Sequence, residues 1–329
     1  MKAFGYVRAG DIDEALALRG DPRRSRFLAG GTNLVDLMKT GVESPAKLVD
    51  IRALPLDRIE DTGDGGLRVG ATVTNSDLAV HPAIRTRYPA LSQAILSGAS
   101  GQLRNAATVG GNLLQRTRCP YFADLAAACN KRVPGTGCSA LTGEHHNHAV
   151  LDWTPACVAT HPSDMAVALA AFDARIGFRT GTGPGELPIS GFYRPVADGA
   201  HRETLLPEGA LITHVVLPPS PPGPSRYRKV RERASYAFAL CSIAATVEVH
   251  DGQIGDVRIA LGGIAARPWR ARAAEDHLRG KEPGDAVFRT AADAELASAR
   301  PLPGNGYKVR LARNLIVSTL DELISRESR

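Results

Sequence analysis

The sequence predicts an α+β protein of two domains, and three observations support this fold class. The chain has 329 residues, more than one small hydrophobic core usually organises. Short apolar segments typical of strands alternate with segments whose apolar residues recur at helical spacing. Five prolines lie within residues 217–225, and proline fits neither a helix interior nor an interior strand. We therefore expect a stiff linker at 217–225 between an N-terminal domain, 1–216, and a smaller α+β domain, 226–329.

The N-terminal domain is predicted to alternate short strands with capped helices. Segment 26–39, RFLAGGTNLVDLMK, has the composition of a strand, a double-glycine turn and a helix. Serine or aspartate directly before an apolar, helically spaced segment is typical of an N-cap. Further strands are expected at 47–51 and 67–75, and helices at 11–18, 76–84 and 162–174, with Asp11, Ser76 and Ser163 as N-caps.

Composition argues against several classes of protein. The net charge is only +6 and aromatic residues make up 5% of the chain, so we expect no nucleic-acid partner. No run of about 18 apolar residues occurs, and so no membrane span is predicted. The first residues, MKAFGYVRAGDIDEALAL, contain acidic residues and no apolar stretch before them, so we expect no secretory signal.

Two double-glycine turns share one pattern, at residues 29–34 (AGGTNL) and 108–113 (TVGGNL). Paired glycines let a ligand approach the backbone closely, and free N–H groups at a helix start favour phosphate. Thr32 and Asn33 are expected to cap the first of the following helices. Neither turn has the pattern GxGxxG, so a Rossmann dinucleotide site is not supported. The residues alone leave two interpretations open, ordinary turns or one shared pyrophosphate site.

Two charged residues also have two interpretations each. Asp164 opens the helix predicted at 162–174, where an acid is favoured by the helix dipole. It could instead accept hydrogen bonds from ribityl or ribose hydroxyls. Lys229 lies in the basic run 226–233, RYRKVRER, which by itself predicts a solvated lysine.

Four of the five cysteines are clustered, with the spacing C-x9-C-x8-C-x18-C for Cys119, Cys129, Cys138 and Cys157. No CxxC pair is present, which disfavours a zinc finger or ribbon, and the bacterial ferredoxin spacing is absent. A metal or cluster site is favoured over two disulfides, and four unconnected core cysteines are the least favoured interpretation. Nearby cations would stabilise thiolates of a cluster or of a zinc site alike; they are Arg116, Arg118, Lys131 and Arg132.

The remaining cysteine and the nearby histidines are expected to play other roles. Cys241 lies in the apolar segment FALCSIAA and is predicted to be a buried packing residue. His145, His146 and His148 could add metal ligands, but a polar surface loop is the preferred interpretation.

Four motifs in order resemble the FAD-binding subunits of molybdenum hydroxylases, the family of xanthine dehydrogenase and aldehyde oxidoreductase. They are AGGTNL, GQLRNAATVGGN, HPSDMAVAL and YRKVRERASYAFAL. The resemblance extends over essentially the whole chain. It implies a two-part FAD-binding domain of the PCMH or vanillyl-alcohol-oxidase type, with subdomains at about 1–56 and 57–216, followed by the smaller C-terminal domain.

The resemblance also gives an interpretation of the cysteines. Asn112 and Asp164 are 52 positions apart, farther than in most members of the family, and the excess carries the cysteines. Such an insertion, here about 115–160, is similar to one that binds a 4Fe-4S cluster in the medium subunit of bacterial periplasmic aldehyde oxidoreductases. The resemblance implies that the ligands of one cluster are Cys119, Cys129, Cys138 and Cys157.

The FAD site implied by the resemblance draws on both domains. Asp164 would bind ribityl or ribose hydroxyls, Lys229 would approach the pyrimidine end of the flavin, and Val215 or Val216 would pack on the ring. The pyrophosphate would be bound by Ala29, Gly30, Gly31, Thr32, Asn33 and Leu34, together with Thr108, Gly111 and Asn112. Leu28, directly before this turn, is also expected to contact the cofactor.

The resemblance implies an electron-transfer subunit without catalytic residues of its own. A large partner would carry the molybdenum cofactor, and a small partner would pass electrons from 2Fe-2S clusters to FAD and on to an external acceptor. A heterotrimer or a dimer of heterotrimers is expected. The location is expected to be periplasmic by co-export with a signal-bearing partner, with the cytoplasm as the alternative. The competing hypothesis is a metal-stabilised nucleotide-binding module without redox activity.

Overall fold

A computed structural model describes residues 1–327, with side chains as far as residue 325. The first unit is a small parallel sheet in the order β1-β3-β2. Parallel strands need crossover connections, and two helices provide them. Asp11 caps the first helix by accepting a hydrogen bond from Glu14 N, as predicted. The elements are β1 (Gly5–Arg8), α1 (Ile12–Arg19), β2 (Ser25–Leu28), α2 (Leu34–Thr40) and β3 (Lys47–Asp50).

The second unit is an antiparallel sheet in the order β4-β5-β8-β6-β7, covered by short helices. Its strands are β4 (Ile59–Asp61), β5 (Leu67–Gly70), β6 (Arg175–Thr180), β7 (Gly183–Pro188) and β8 (Leu211–Leu217). Its helices are α3 (Asn75–Val80), α4 (Pro82–Arg87), α5 (Pro89–Ser97), α6 (Gly101–Ala106), α7 (Val109–Leu113), α8 (Pro120–Ala123), α9 (Asp164–Ala171) and α10 (Ile189–Phe192). Single 3-10 turns occur at Ser139–Leu141 and Val196–Asp198.

Three details of the predicted secondary structure were wrong in this unit. The helix expected at 76–84 is two helices, α3 and α4, which are separated at His81. The strand expected at 67–75 ends at Gly70, because the backbone turns there and Ala71 N bonds to Thr213 O. The next helix is capped by Thr74 rather than Ser76. Thr74 has the extended conformation of an N-cap and accepts from Asp77 N, whereas Ser76 lies inside the helix.

The third unit is an antiparallel sheet in the order β12-β11-β10-β9, packed against three helices. Cys241 is 0% exposed in its core, which confirms the predicted packing role. The elements are β9 (Ser225–Val230), β10 (Cys241–His250), β11 (Gln253–Gly262), β12 (Trp269–Arg270), α11 (Arg272–Leu278), α12 (Asp285–Leu296) and α13 (Tyr307–Glu327).

The proline segment is held against the protein along part of its length. The Tyr88 hydroxyl donates to Pro218 O at 2.5 Å, and Tyr227 N, just beyond the segment in β9, donates to Gln93 Oε1 in α5 at 2.9 Å. The core of the second unit includes Tyr227 and Ala244 of the third. The α+β fold class is confirmed, and the cofactor-sized cleft described next lies where these units meet. Within residues 1–327, no helix combines the length and apolar character that crossing a bilayer requires.

Candidate functional site

A cleft of about 780 Å³ lies between the first glycine turn, helices α5 to α7 and α9, and the segment from β9 to β10. This volume is within the usual range for cofactor and ligand sites. The chain brings together residues that are far apart in sequence, and seven of the predicted FAD-binding residues line the cleft. These are Gly31, Thr32, Asn33, Gly111, Asn112, Asp164 and Lys229.

Val215, which was expected to pack on the flavin ring, does not line the cleft. It is 1% exposed, and as part of β8 its backbone lies between two strands, opposite Val69 and Ile176. Because its side chain is in the core, Val215 is not a lining residue of the cleft. Val216, the alternative, is likewise within β8 and outside the lining.

Other predicted residues are not lining residues of the cleft. Gly30 passes so close to α6 that a Cβ atom there would lie 1.8 Å from Ala106 O. Thr108 is buried and its Oγ1 accepts a hydrogen bond from Gly111 N at 3.2 Å. The remaining members of this set are Leu28, Ala29 and Leu34, which precede or follow the first turn.

The first glycine turn presents unpaired backbone donors. Among the described residues, the N–H groups of Gly31, Thr32 and Asn33 have no hydrogen-bond acceptor. The expected capping role of Asn33 is wrong, because its Oδ1 accepts from Arg116 N at 2.9 Å and makes no bond to α2. Helix α2 has 7 residues, so the unpaired N–H groups of the turn matter here more than the helix dipole.

The second glycine turn differs from the first despite its similar sequence. Gly110 N donates to Ala71 O at 2.9 Å and Asn112 N donates to Thr108 O at 2.8 Å, so these donors are satisfied within the protein. The Asn112 side chain accepts a hydrogen bond from Ser163 Oγ at 2.6 Å, and Ser163 caps α9 as predicted. The two turns are therefore not equivalent. The second turn fixes the start of α9, while Gly111 and Asn112 line the cleft.

Asp164 forms a buried polar triad with two residues of β9. Its Oδ1 accepts from the Tyr227 hydroxyl at 2.5 Å, and its Oδ2 accepts from Lys229 Nζ at 2.8 Å. The side chains of Asp164 and Lys229 are 9% and 4% exposed, so the solvated-lysine interpretation is wrong. Burial, with the charge of Asp164, raises the pKa of Tyr227 well above its usual value, which keeps the hydroxyl protonated as a donor.

Sequence analysis missed Tyr227 and Asn75. Tyr227 is two residues before Lys229, and in a strand this spacing places both side chains on one face. Asn75 lines the cleft and is 5% exposed, yet its Oδ1 has no hydrogen-bond partner, and the same is true of Asn33 Nδ2. Buried polar atoms are rarely left unpaired, so these two atoms fit a polar ligand in the cleft.

The charged side chains that line the cleft suit an anionic ligand, because five are basic and three are acidic. The basic ones are Lys39, Arg104, Arg118, Lys229 and Arg233, and the acidic ones are Asp36, Asp164 and Glu232.

We predict that Lys229→Met lowers the free energy of unfolding of the cofactor-free protein by about 3 kcal/mol, because removing one member of a buried ion pair strands the other charge. Asp164→Asn in the same chain should restore part of this loss, since the stranded charge is then absent. Urea unfolding of the two single variants and the double variant measures the coupling. Additive losses would contradict a direct interaction between the two side chains.

The four clustered cysteines line a second, small pocket next to the cleft. All four are free thiols, and Cys129 and Cys138 face each other across an isolated β-bridge. Within the described residues, no three His, Cys, Asp or Glu side chains are close enough to share one metal ion. Four sulfurs on a single zinc would each lie about 2.3 Å from one point, so the described thiols are not arranged as the ligands of one zinc ion.

Asn130 connects the parts of the chain that carry three of these cysteines. Its Oδ1 accepts hydrogen bonds from Gly135 N at 3.0 Å and Gly137 N at 2.9 Å, and both glycines have positive φ. Its Nδ2 donates to Ala156 O at 3.0 Å, beside Cys157. Asn130 therefore closes the loop between Cys129 and Cys138 and attaches it to the segment of Cys157.

Burial disfavours the ionisation of two of the four thiols. Burial raises the pKa of Cys119 to about 12, and burial also raises that of Cys157 although Lys131 opposes the shift. Of the four predicted cations, only Lys131 lines this pocket, and its Nζ is paired with Glu203 Oε1 at 2.8 Å. A metal group bound at these thiols would therefore have to supply its own positive charge and displace the thiol protons.

The histidine segment is only partly the surface loop that was expected. His146 is exposed, but His148 is 4% exposed and its Nε2 lies 3.2 Å from Cys119 Sγ. The expectation for His148 is wrong because residues of the C-terminal domain cover it. Asn305 Nδ2 donates to His148 O at 3.2 Å, and the buried Lys308 donates to Asn147 O at 2.9 Å.

The structure places a cleft whose charged lining is mainly basic beside a small thiol-lined pocket. A family model described as the FAD binding domain in molybdopterin dehydrogenase matches residues 2–220. A second, described as the CO dehydrogenase flavoprotein C-terminal domain, matches residues 225–323. The chain belongs to the FAD-binding medium subunits of the molybdenum hydroxylase family.

Individual relatives agree with this assignment. The chain is 49% identical to the aldehyde oxidoreductase FAD-binding subunit PaoB of Escherichia coli, over 98% of each chain. It is 25% identical to the glyceraldehyde dehydrogenase medium chain of Sulfolobus acidocaldarius, over 91% of this chain and 89% of the other. Carbon monoxide dehydrogenase of Hydrogenophaga pseudoflava, solved without the Mo-pyranopterin moiety of its cofactor, aligns with a TM-score of 0.77 and 25% identity, covering 99% of this chain and 98% of the other.

Proposed function

We propose that this protein binds FAD in the cleft and a 4Fe-4S cluster in the thiol pocket, as the electron-transfer subunit of a molybdenum-dependent aldehyde oxidoreductase. FAD and the cluster, bound there, would take electrons from the 2Fe-2S clusters of a partner and pass them to an external acceptor. The observation that carries the proposal is the adjacency of the sites, because Cys119 lines both the cleft and the thiol pocket.

The cleft residues have defined roles toward FAD in this proposal. The N–H groups of Gly31, Thr32 and Asn33 would donate to the pyrophosphate, which their lack of other acceptors supports. Asp164 would use lone pairs not taken by Tyr227 and Lys229 to accept from ribityl or ribose hydroxyls. The Lys229 ammonium would place a positive charge beside the flavin ring.

The thiol pocket supports a cluster over the alternatives that the sequence left open. No disulfide joins the described cysteines, and all four line one pocket. A cuboidal cluster binds each of four thiolates to a different iron, so four cysteines around one pocket supply the full number of ligands. The ligands would be Cys119, Cys129, Cys138 and Cys157, with Asn130 holding the loop in place.

The proposed partners are a large molybdenum-cofactor subunit and a small 2Fe-2S subunit. The 49% identity to an aldehyde oxidoreductase FAD-binding subunit supports an aldehyde substrate, oxidised on the large partner. We propose a periplasmic location reached by co-export with a signal-bearing partner, supported by the similarity of the cysteine segment to periplasmic subunits. Cell fractionation tests the location, and recovery of the complex in the cytoplasm would contradict it.

A visible spectrum with metal analysis of the purified full chain tests the cofactors. We expect flavin bands above a broad iron–sulfur absorbance, with iron and acid-labile sulfide near four each per flavin. A colourless protein that contains zinc would instead support the nucleotide-binding module without redox activity. Flavin without iron would overturn the cluster and leave the FAD assignment intact.

A further inference from the structure

We propose that His148 donates a hydrogen bond from Nε2 to the Cys119 sulfur and thereby raises the reduction potential of the cluster in the thiol pocket. The inference rests on the proposed function, because it concerns a residue of this chain toward a cluster bound by Cys119. In this role His148 would not bind iron itself, and all four ligands of the cluster would still be cysteines.

The geometry gives His148 a position that the other two histidines do not share. Its Nε2 lies 3.2 Å from Cys119 Sγ, and its side chain also lines the flavin cleft. His145 Nδ1 instead contacts Ala140 O at 3.2 Å, and the exposed His146 contacts Glu232. Only His148 of the three therefore lies between the cleft and a cluster ligand.

The direction of the hydrogen bond follows from its partners. A cysteine that ligates iron is a thiolate and has no proton to donate, so the contact is a hydrogen bond only if Nε2 carries the proton. The other nitrogen, Nδ1, is buried and has no partner among the described residues. A proton on Nδ1 would leave a buried donor unpaired, whereas a proton on Nε2 has the sulfur as its acceptor.

The C-terminal domain fixes the histidine at this distance. Asn305 Nδ2 donates to the carbonyls of His148 and Ala149, both at 3.2 Å. Lys308 is 0% exposed and donates to Asn147 O at 2.9 Å and Gly263 O at 2.7 Å. The backbone on both sides of His148 is thus hydrogen-bonded to α13 and to the turn before it, which holds the imidazole against Cys119.

A donor at a ligand sulfur changes the redox equilibrium in a defined direction. Reduction adds an electron to the cluster, so the hydrogen bond stabilises the reduced form more than the oxidised form. Removing the donor should therefore lower the reduction potential. We expect about a tenfold change in the reduction equilibrium constant, which is about 59 mV for a one-electron couple.

The test is an EPR-monitored redox titration of the cluster in the full chain, with iron, sulfide and flavin measured in each sample. His148→Leu removes the donor. His148→Gln places an amide N–H near the position of Nε2, and His148→Asn is one methylene too short to do so. His146→Gln is the matched control, since its side chain is exposed in the same segment and contacts no cysteine.

The expected result is a lower potential in His148→Leu and His148→Asn, and a potential near the original in His148→Gln and His146→Gln. The Asn and Gln variants decide the matter if the Leu variant loses its cluster. An unchanged potential in both donor-free variants, or an equal decrease in the Gln variant, would overturn the role of His148 while the cluster stands. A parent protein without iron and sulfide would instead overturn the proposed function itself.

Discussion

Cys157→Ser is expected to remove most of the iron and acid-labile sulfide from the protein together. Cys157 is 5% exposed and lies in the thiol pocket, where burial keeps the thiol protonated until a metal displaces the proton. A serine hydroxyl gives up its proton far less readily than a thiol and is a poorer ligand for iron in such a cluster. Three cysteines would then remain to bind a group that requires four.

Cys241→Ser is the matched control for this variant. Cys241 is also buried and free, but it lies in β10 within the core of the third unit. Its replacement should leave iron and sulfide unchanged, at a small cost in packing. Colorimetric iron and sulfide assays on the two purified variants give the comparison. Full iron content in Cys157→Ser, or loss of iron in Cys241→Ser, would show that the cluster is bound by a different set.

Gly30→Ala should destabilise the fold, whereas Gly111→Ala should affect flavin retention alone. A Cβ at Gly30 would lie 1.8 Å from Ala106 O and 2.6 Å from Ala106 C, so the backbone of α6 has to shift. Overpacking of this kind costs about 3 kcal/mol. We therefore expect a lower free energy of unfolding even without cofactor, together with loss of flavin.

Gly111 is in a different environment, although both glycines were predicted to serve the pyrophosphate. The nearest atom to a Cβ at Gly111 is Thr108 Oγ1 at 3.1 Å, and the residue lines the cleft. Alanine also has the higher helix propensity in α7, by about 1 kcal/mol. Urea unfolding of flavin-free protein should show little loss of stability, while the flavin content falls. Equal destabilisation of both variants would rule out the difference that we infer.

The sequence predicted those parts of the site that depend on neighbouring residues. The cap of α9 by Ser163 and the position of Asp164 after it follow from local rules, and both are confirmed. The basic neighbours of Lys229 by themselves predict a solvated lysine, because its partner Asp164 is 65 positions away. Such long-range pairs leave no local pattern in a single sequence.

The same limit explains why the difference between the two glycine turns and the burial of His148 were not predicted. Gly110 N in the second turn donates to Ala71 O, and this contact depends on the packing of α7 against the end of β5. His148 is covered by Asn305, which is 157 positions away. The histidine-rich composition of the segment predicted a surface loop, but tertiary contacts bury His148.

The wall shared by the two pockets would make the proposed ligands thermodynamically interdependent. Cys119 lines both the cleft and the thiol pocket, so FAD and the cluster, bound as proposed, would both order the segment around it. The ligand that bound first would then bear the entropy cost of ordering this segment, and the second would bind more tightly. Linkage makes the coupling free energy identical in both directions. We therefore expect loss of iron to weaken flavin binding by the same factor as loss of flavin weakens the binding of iron.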